Sequence, residues 1–84
     1  MRQARIRSAA ADEAIQILEE ATQDNHYHAC SSIVACVDLL EDNGHQDAEK
    51  HHTMKYNVHY VDANHNQKRE NGVSLYQVMK KANQ

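Results

Sequence analysis

Two apolar stripes at helical spacing dominate the first half of this 84-residue chain. The first predicts a helix over residues 9–23, and the second predicts a helix over residues 26–42. Their apolar residues recur every three or four positions, and they are Ala10, Ala14, Ile17, Leu18, Ala21, Cys30, Ile33, Val34, Val37 and Leu40. Asp24–Asn25 separates the stripes, and Asn43–Gly44 ends the second one. Because the break is short, we expect an antiparallel two-helix hairpin.

The second half of the chain has a β-pattern followed by a short helical one. Residues 54–60 alternate between apolar and polar side chains, which is typical of a half-buried strand. Turn-forming residues at 62–66 favour a hairpin that returns through residues 67–70. After Asn71–Gly72, Ser74 suits the cap of a last helix with an apolar face formed by Leu75, Val78, Met79 and Ala82.

These patterns predict an α+β fold, with the two-helix hairpin packed on a β-hairpin and a short C-terminal helix closing the structure. The alternative is a small all-α bundle in which residues 47–62 form a third helix. We expect residues 1–84 to form one domain. Within it, residues 1–7 form a basic arm, a short strand or the first turn of the following helix.

Because the core is small, we expect self-association to stabilise the fold. The chain has no Phe and no Trp, and a two-stranded ribbon is marginal by itself. We therefore expect a homo-oligomer that associates through Tyr56, Val58 and Tyr60, or through the apolar stripe of the second helix. Cys30 and Cys36 are six residues apart, which is too far along one helix for a disulfide between them. We therefore expect both to be small buried thiols in a protein of a reducing compartment. Without an apolar run long enough for a signal peptide or a membrane span, we expect a cytoplasmic protein without a membrane partner.

The charge distribution is more unusual than the net charge of −3. Residues 8–49 hold ten carboxylates and no Lys or Arg, while all nine basic residues lie outside that segment. Several of these carboxylates crowd the C-terminal ends of the predicted helices, where they oppose the helix dipole. A surface that tolerates this repulsion favours basic partners. The predicted partner-binding residues are Asp12, Glu19, Glu20, Asp24, Asp38, Glu41 and Asp42.

The seven histidines raise the question of a metal site. His26, Cys30, His51 and His52 are ligand types that zinc accepts, and His26 and Cys30 are four apart on the predicted helix. Their spacing matches no zinc motif, so surface histidine is the favoured interpretation and we expect no metal or other cofactor. A zinc-stabilised interaction module remains an alternative.

Catalysis and nucleic-acid binding have weaker support. Cys30 lies within an apolar stripe, which favours packing over nucleophilic catalysis, and there is no glycine-rich phosphate loop. We therefore expect a protein that is not an enzyme. Arg2, Arg5 and Arg7 form a basic segment that suits phosphate contacts, but the sequence pI of about 6.1 is low for a general nucleic-acid binder. A DNA-binding transcriptional regulator that uses this basic N-terminal arm is the second hypothesis.

The leading hypothesis is a non-catalytic inhibitor or modulator that docks on another macromolecule through its acidic helical surface. The expected partner is a basic protein surface, such as that of a nucleic-acid-binding host protein. Small acidic proteins of phages and mobile elements that disable host defence or transcription machinery share this size and charge. An anti-defence protein of viral origin is the form of the hypothesis that this analogy suggests.

Overall fold

The computed structural model describes the backbone of residues 2–83 and the side chains of residues 9–83. The chain begins with helix α1 (Arg2–Glu20), strand β1 (His28–Ala29) and helix α2 (Cys30–Asp42). A short 3₁₀ helix (Glu49–His52) precedes strands β2 (Lys55–Val61) and β3 (Gln67–Ser74) and helix α3 (Leu75–Ala82). The predicted α+β class is thus confirmed. The all-α alternative is wrong, because residues 55–61 form a strand.

The sheet has three strands in the order β1-β2-β3, whereas the sequence predicted a two-stranded hairpin. β2 and β3 pair antiparallel as the predicted hairpin. The additional strand is β1, in which His28 and Ala29 pair in parallel with Val58 and His59. These two residues were expected within the second helix, which instead begins at Cys30. β2 is therefore the central strand and carries the most buried strand residues.

Two local features differ from the sequence-based expectation. The backbone of α1 begins at Arg2, so residues 2–7 continue the first helix and form neither an arm nor a strand. Asn71–Gly72 lies within β3, at a bulge where the pairing changes from Tyr56↔Val73 to Val58↔Glu70. Gly72 has φ +65° there, a conformation that glycine adopts at little cost. The extra residue keeps both Tyr56 and Val73 directed into the core.

One hydrophobic core joins the inner face of the sheet to the helices. The alternation of β2 directs Tyr56 and Val58 inward, and both side chains are fully buried. The apolar stripe of α2 packs between this face and α1. The core side chains are Ala11, Ala14, Leu18, Ala21, Cys30, Ile33, Cys36, Val37, Leu40, Tyr56, Val58, Val73, Leu75 and Val78.

The last helix has the cap that its sequence predicts. The Ser74 hydroxyl accepts a hydrogen bond from the Gln77 backbone N–H at 3.4 Å, and Lys80 and Lys81 lie in the last turn. Over residues 2–83, no helix has the combination of length and apolar character needed to span a bilayer.

Candidate functional site

The predicted acidic residues lie on the outside of the two long helices. Asp12, Glu19 and Glu20 belong to α1, and Asp24 lies in the turn that follows it. Asp38, Glu41 and Asp42 belong to α2. All seven side chains are exposed except that of Glu20, which is half-buried. The outward position follows from the helical period, because the apolar stripes direct the intervening residues to solvent.

Two of these carboxylates contact histidines that the sequence analysis did not assign to them. Glu20 Oε1 lies 3.2 Å from His28 Nε2, and Glu41 Oε2 lies 2.6 Å from His52 Nε2. Each pair lies near the C-terminal end of a helix, where an unpartnered carboxylate opposes the helix dipole. The histidines therefore relieve part of the repulsion that the sequence predicts for these ends.

The other carboxylates of α1 and α2 lack such a partner among the side chains at residues 9–83. In that part of the chain, the ion pairs made by lysine are Lys50–Asp47 at 3.8 Å and Lys81–Glu70 at 3.0 Å. Neither involves a carboxylate of the two long helices. From Asp12 onward, α1 and α2 thus carry exposed carboxylates and no lysine or arginine, whereas Arg2, Arg5 and Arg7 belong to the first turns of α1.

A shallow apolar groove runs between α1 and α2 on this surface, with a volume of about 350 Å³. α1 contributes Ala10, Glu13, Ala14 and Ile17, and α2 contributes Ala35, Cys36 and Leu39. Ala10 and Ala35 are exposed, whereas Ile17 and Leu39 are half-buried. The sequence analysis assigned none of these seven groove residues to a site, because periodicity shows a helix face but not where two helices leave a gap.

Acidic residues border the groove on both sides. Glu13 lines it directly from α1. On α2, Asp42 follows Leu39 by three residues, which places it one turn along the same side of the helix. Asp38 instead lines a separate small pocket with Leu75 and Met79 of α3. The surface therefore combines an apolar floor with negative rims.

The predicted self-association residues have a different role. Tyr56 and Val58 are 0% exposed, so a second chain cannot contact them without opening the core. Tyr60 is half-buried, and its hydroxyl donates a hydrogen bond to Glu70 Oε2. Lys81 Nζ contacts the same carboxylate and lies 4.9 Å from the centre of the Tyr60 ring. These strand residues hold β2, β3 and α3 together within one chain.

The four zinc-ligand candidates are divided between the surface and the core. His26 and His52 are exposed, whereas Cys30 and His51 are buried, and His51 Nδ1 is 2.8 Å from the Tyr56 hydroxyl. Within the described part of the chain, no three His, Cys, Asp or Glu side chains are arranged to hold a metal ion.

A second cavity, of about 460 Å³, lies beyond the end of β1. Because β1 pairs only with Val58 and His59, Tyr60 and Val61 of β2 line this cavity. Cys30, His59 and Lys81 are among its lining residues. Burial raises the pKa of the Cys30 thiol, which disfavours the reactive thiolate. Lys81 is already engaged by Glu70. Neither the Cys30 thiol nor the Lys81 amine is thus activated as a nucleophile at this cavity.

Comparison with protein-family models, with curated proteins and with solved structures finds no match to this chain.

Proposed function

We propose that this protein is a non-catalytic binding protein whose acidic α1–α2 surface docks on a basic surface of another protein. The observation that supports this proposal is the exposed negative charge of residues 12–20 of α1 and of α2, two stretches that contain no Lys or Arg. Asp12, Glu19, Asp38 and Asp42 are exposed and form no ion pair with a described lysine or arginine. Exposed negative charge of this kind speeds encounter with positive partners and disfavours acidic ones.

A partner of this chemistry presents clustered Lys or Arg side chains, as the binding surfaces of nucleic-acid-binding proteins do. Occupying such a surface competes with phosphate groups, so the protein acts on its partner as an inhibitor or modulator. The same surface repels DNA and RNA, and the proposal therefore predicts little affinity for nucleic acid.

The experiment compares three fluorescent probes by anisotropy at low and at physiological salt. They are a Lys-rich peptide, a Glu-rich peptide of the same length, and a short DNA duplex. We expect binding of the Lys-rich peptide alone, with an affinity that falls as salt rises. The triple variant Asp12→Lys/Asp38→Lys/Asp42→Lys should lose at least about tenfold in affinity, equivalent to about 1.4 kcal/mol.

The matched control is Glu49→Lys, which reverses an exposed carboxylate of the same acidic segment outside the two helices. It should retain most of the affinity. Equal losses in the control and in a single helical reversal such as Asp38→Lys would indicate a net-charge effect without a defined surface. Binding of the DNA duplex that is lost on replacing Arg2, Arg5 and Arg7 would instead favour the regulator hypothesis.

A further inference from the structure

We infer that the groove between α1 and α2 receives one amphipathic helix of a partner protein, with an apolar stripe of small or aliphatic side chains flanked by Lys or Arg. This inference depends on the proposed function, because it names the kind of basic partner that the acidic surface accepts. Beyond the positive charge of the partner, it specifies that the bound segment is helical, that it makes apolar contacts, and that it lies between α1 and α2.

The shape of the groove supports a helix as the occupant. Three of its seven lining residues are alanines, namely Ala10, Ala14 and Ala35. Small side chains on two packed helices allow a third helix to approach closely. The half-buried Ile17 and Leu39 offer the larger apolar contacts along the same groove. Such a groove suits helix-in-groove recognition, in which apolar side chains at every third or fourth position of a bound helix insert into the groove.

The charges at the rims support basic flanks on that helix. Glu13 lies at the α1 side, while Asp42 lies on the α2 side, one turn from the groove residue Leu39. Both carboxylates are exposed. A helix seated on the apolar floor would place its flanking residues over both rims at once. Lys or Arg at those positions is attracted, whereas Asp or Glu is repelled.

The test uses three synthetic peptides of about 18 residues, or five helical turns. The first has Leu and Ala every three or four positions with Lys on both flanks. The second has the same composition in a scrambled order, which removes the stripe. The third keeps the stripe and replaces each Lys by Glu. Affinity for the full chain is measured by isothermal titration calorimetry, and the oligomeric state by sedimentation.

The variant Ala35→Gln fills the exposed floor of the groove without changing charge, and Ala63→Gln in the exposed turn between β2 and β3 is its matched control. Circular dichroism verifies that both variants fold. Cys36 provides an independent readout of location, because it lines the groove and is 9% exposed, whereas Cys30 is 1% exposed. Occupation of the groove should slow alkylation of Cys36 during long incubation.

We expect the amphipathic Lys peptide to bind at least about tenfold more tightly than its scrambled form. That advantage should disappear in Ala35→Gln, persist in Ala63→Gln, and coincide with protection of Cys36. Equal binding of both Lys peptides, unchanged in Ala35→Gln, would overturn the groove inference and leave the acidic surface as the site. Binding of neither Lys peptide would overturn both proposals. A dimer that Ala35→Gln converts to a monomer would identify a second copy as the occupant and overturn this inference.

Discussion

His51 and Tyr56 form a hydrogen bond inside the core, where His51 Nδ1 lies 2.8 Å from the Tyr56 hydroxyl oxygen and both side chains are 0% exposed. The same hydroxyl donates to the His51 backbone carbonyl at 3.3 Å. This geometry favours the tautomer in which Nδ1–H donates to the tyrosine. Nε2 then carries only a lone pair, and it has no partner among the described atoms. The pair joins the 3₁₀ helix to β2 and suits a neutral histidine.

Replacing Tyr56 by Phe should destabilise the protein by about 1–3 kcal/mol, because it leaves His51 Nδ1 buried without a partner. Urea unfolding followed by circular dichroism measures the loss. The control is Tyr76→Phe, since Tyr76 is 65% exposed and should change stability by less than about 0.5 kcal/mol. Equal effects of the two substitutions would show that the buried hydrogen bond adds no stability.

The free energy of unfolding should also decrease as the pH is lowered through the window just below pH 6.5. Burial is the main cause that lowers the pKa of His51, and Lys50 and His52 lower it further. Asp47 and Glu19 oppose this shift. Between its ordinary value of 6.5 and its lowered folded pKa, the unfolded chain binds more protons than the native chain, so the unfolding free energy decreases as pH falls. Above that window the contribution is fully present.

Urea titrations at pH 7.5 and pH 5.5 measure this slope, which is at most about 1.4 kcal/mol per pH unit for one group. His51→Gln should lose the His51 contribution. His59→Gln, at an exposed position, is the matched control and should retain it. An identical slope in both variants would mean that another group produces the pH dependence.

The sequence predicts a helix or strand well where the periodic apolar pattern of that element lies within one short segment. The stripes of α1 and α2 and the alternation of β2 each lie within a dozen residues or so, and the side chains that they direct inward form the core. Strand β1 has no such signal, because His28 and Ala29 are a strand only through pairing with Val58 and His59. Asn71–Gly72 predicts a turn, but the positive φ that glycine adopts easily is also suited to a β-bulge, and the pair lies at a bulge within β3.

The candidate site was predictable in its charge and not in its shape. The acidic residues follow from composition and helical period, as their exposed positions show. The groove depends on how α1 sits against α2, which no single helix specifies. The contact between Glu20 and His28 crosses the turn between two elements, so its two residues carry no periodic relationship in the sequence.

Tyr60 and Lys81 should together lower the pKa of the Glu70 carboxyl. The hydrogen bond from the Tyr60 hydroxyl, followed by that from Lys81, lowers the pKa of the Glu70 carboxyl. NMR titration of the carboxyl carbon should therefore show the pKa rising toward 4.5 in Tyr60→Phe. Lys81→Met should raise it as well, because this change removes both a hydrogen bond and a positive charge. An unchanged pKa in either variant would show that the removed group does not act on this carboxylate.

The same cluster should contribute little to stability. The Glu70 side chain is 41% exposed, so solvent screens its ion pair with Lys81, and Glu70→Gln should cost less than about 1 kcal/mol. Because the folded pKa of Glu70 is lowered, this small contribution is present above the unfolded pKa and is lost as pH falls through the folded value. Urea unfolding at pH 7 and pH 3 measures both quantities, and a loss of several kcal/mol at pH 7 would contradict the screened geometry.

The core of α2 should tolerate little loss of volume. Ile33 is 0% exposed and belongs to the single core cluster, so Ile33→Ala should cost about 2–5 kcal/mol through lost burial and a residual cavity. Thermal unfolding measures this cost against Val61→Ala, whose parent side chain is 50% exposed. Similar melting temperatures for the two variants would show that α2 does not pack as described.

The most direct test of the central claim is an NMR titration of ¹⁵N-labelled protein with the amphipathic Lys peptide. Docking at the groove predicts amide shift changes concentrated at residues 10–17 of α1 and 35–42 of α2, which line and border the groove. Residues of β3 and α3 should change little. Shifts confined to β3 and α3, or the absence of shifts at peptide excess, would contradict the claim that the acidic α1–α2 surface binds a basic partner.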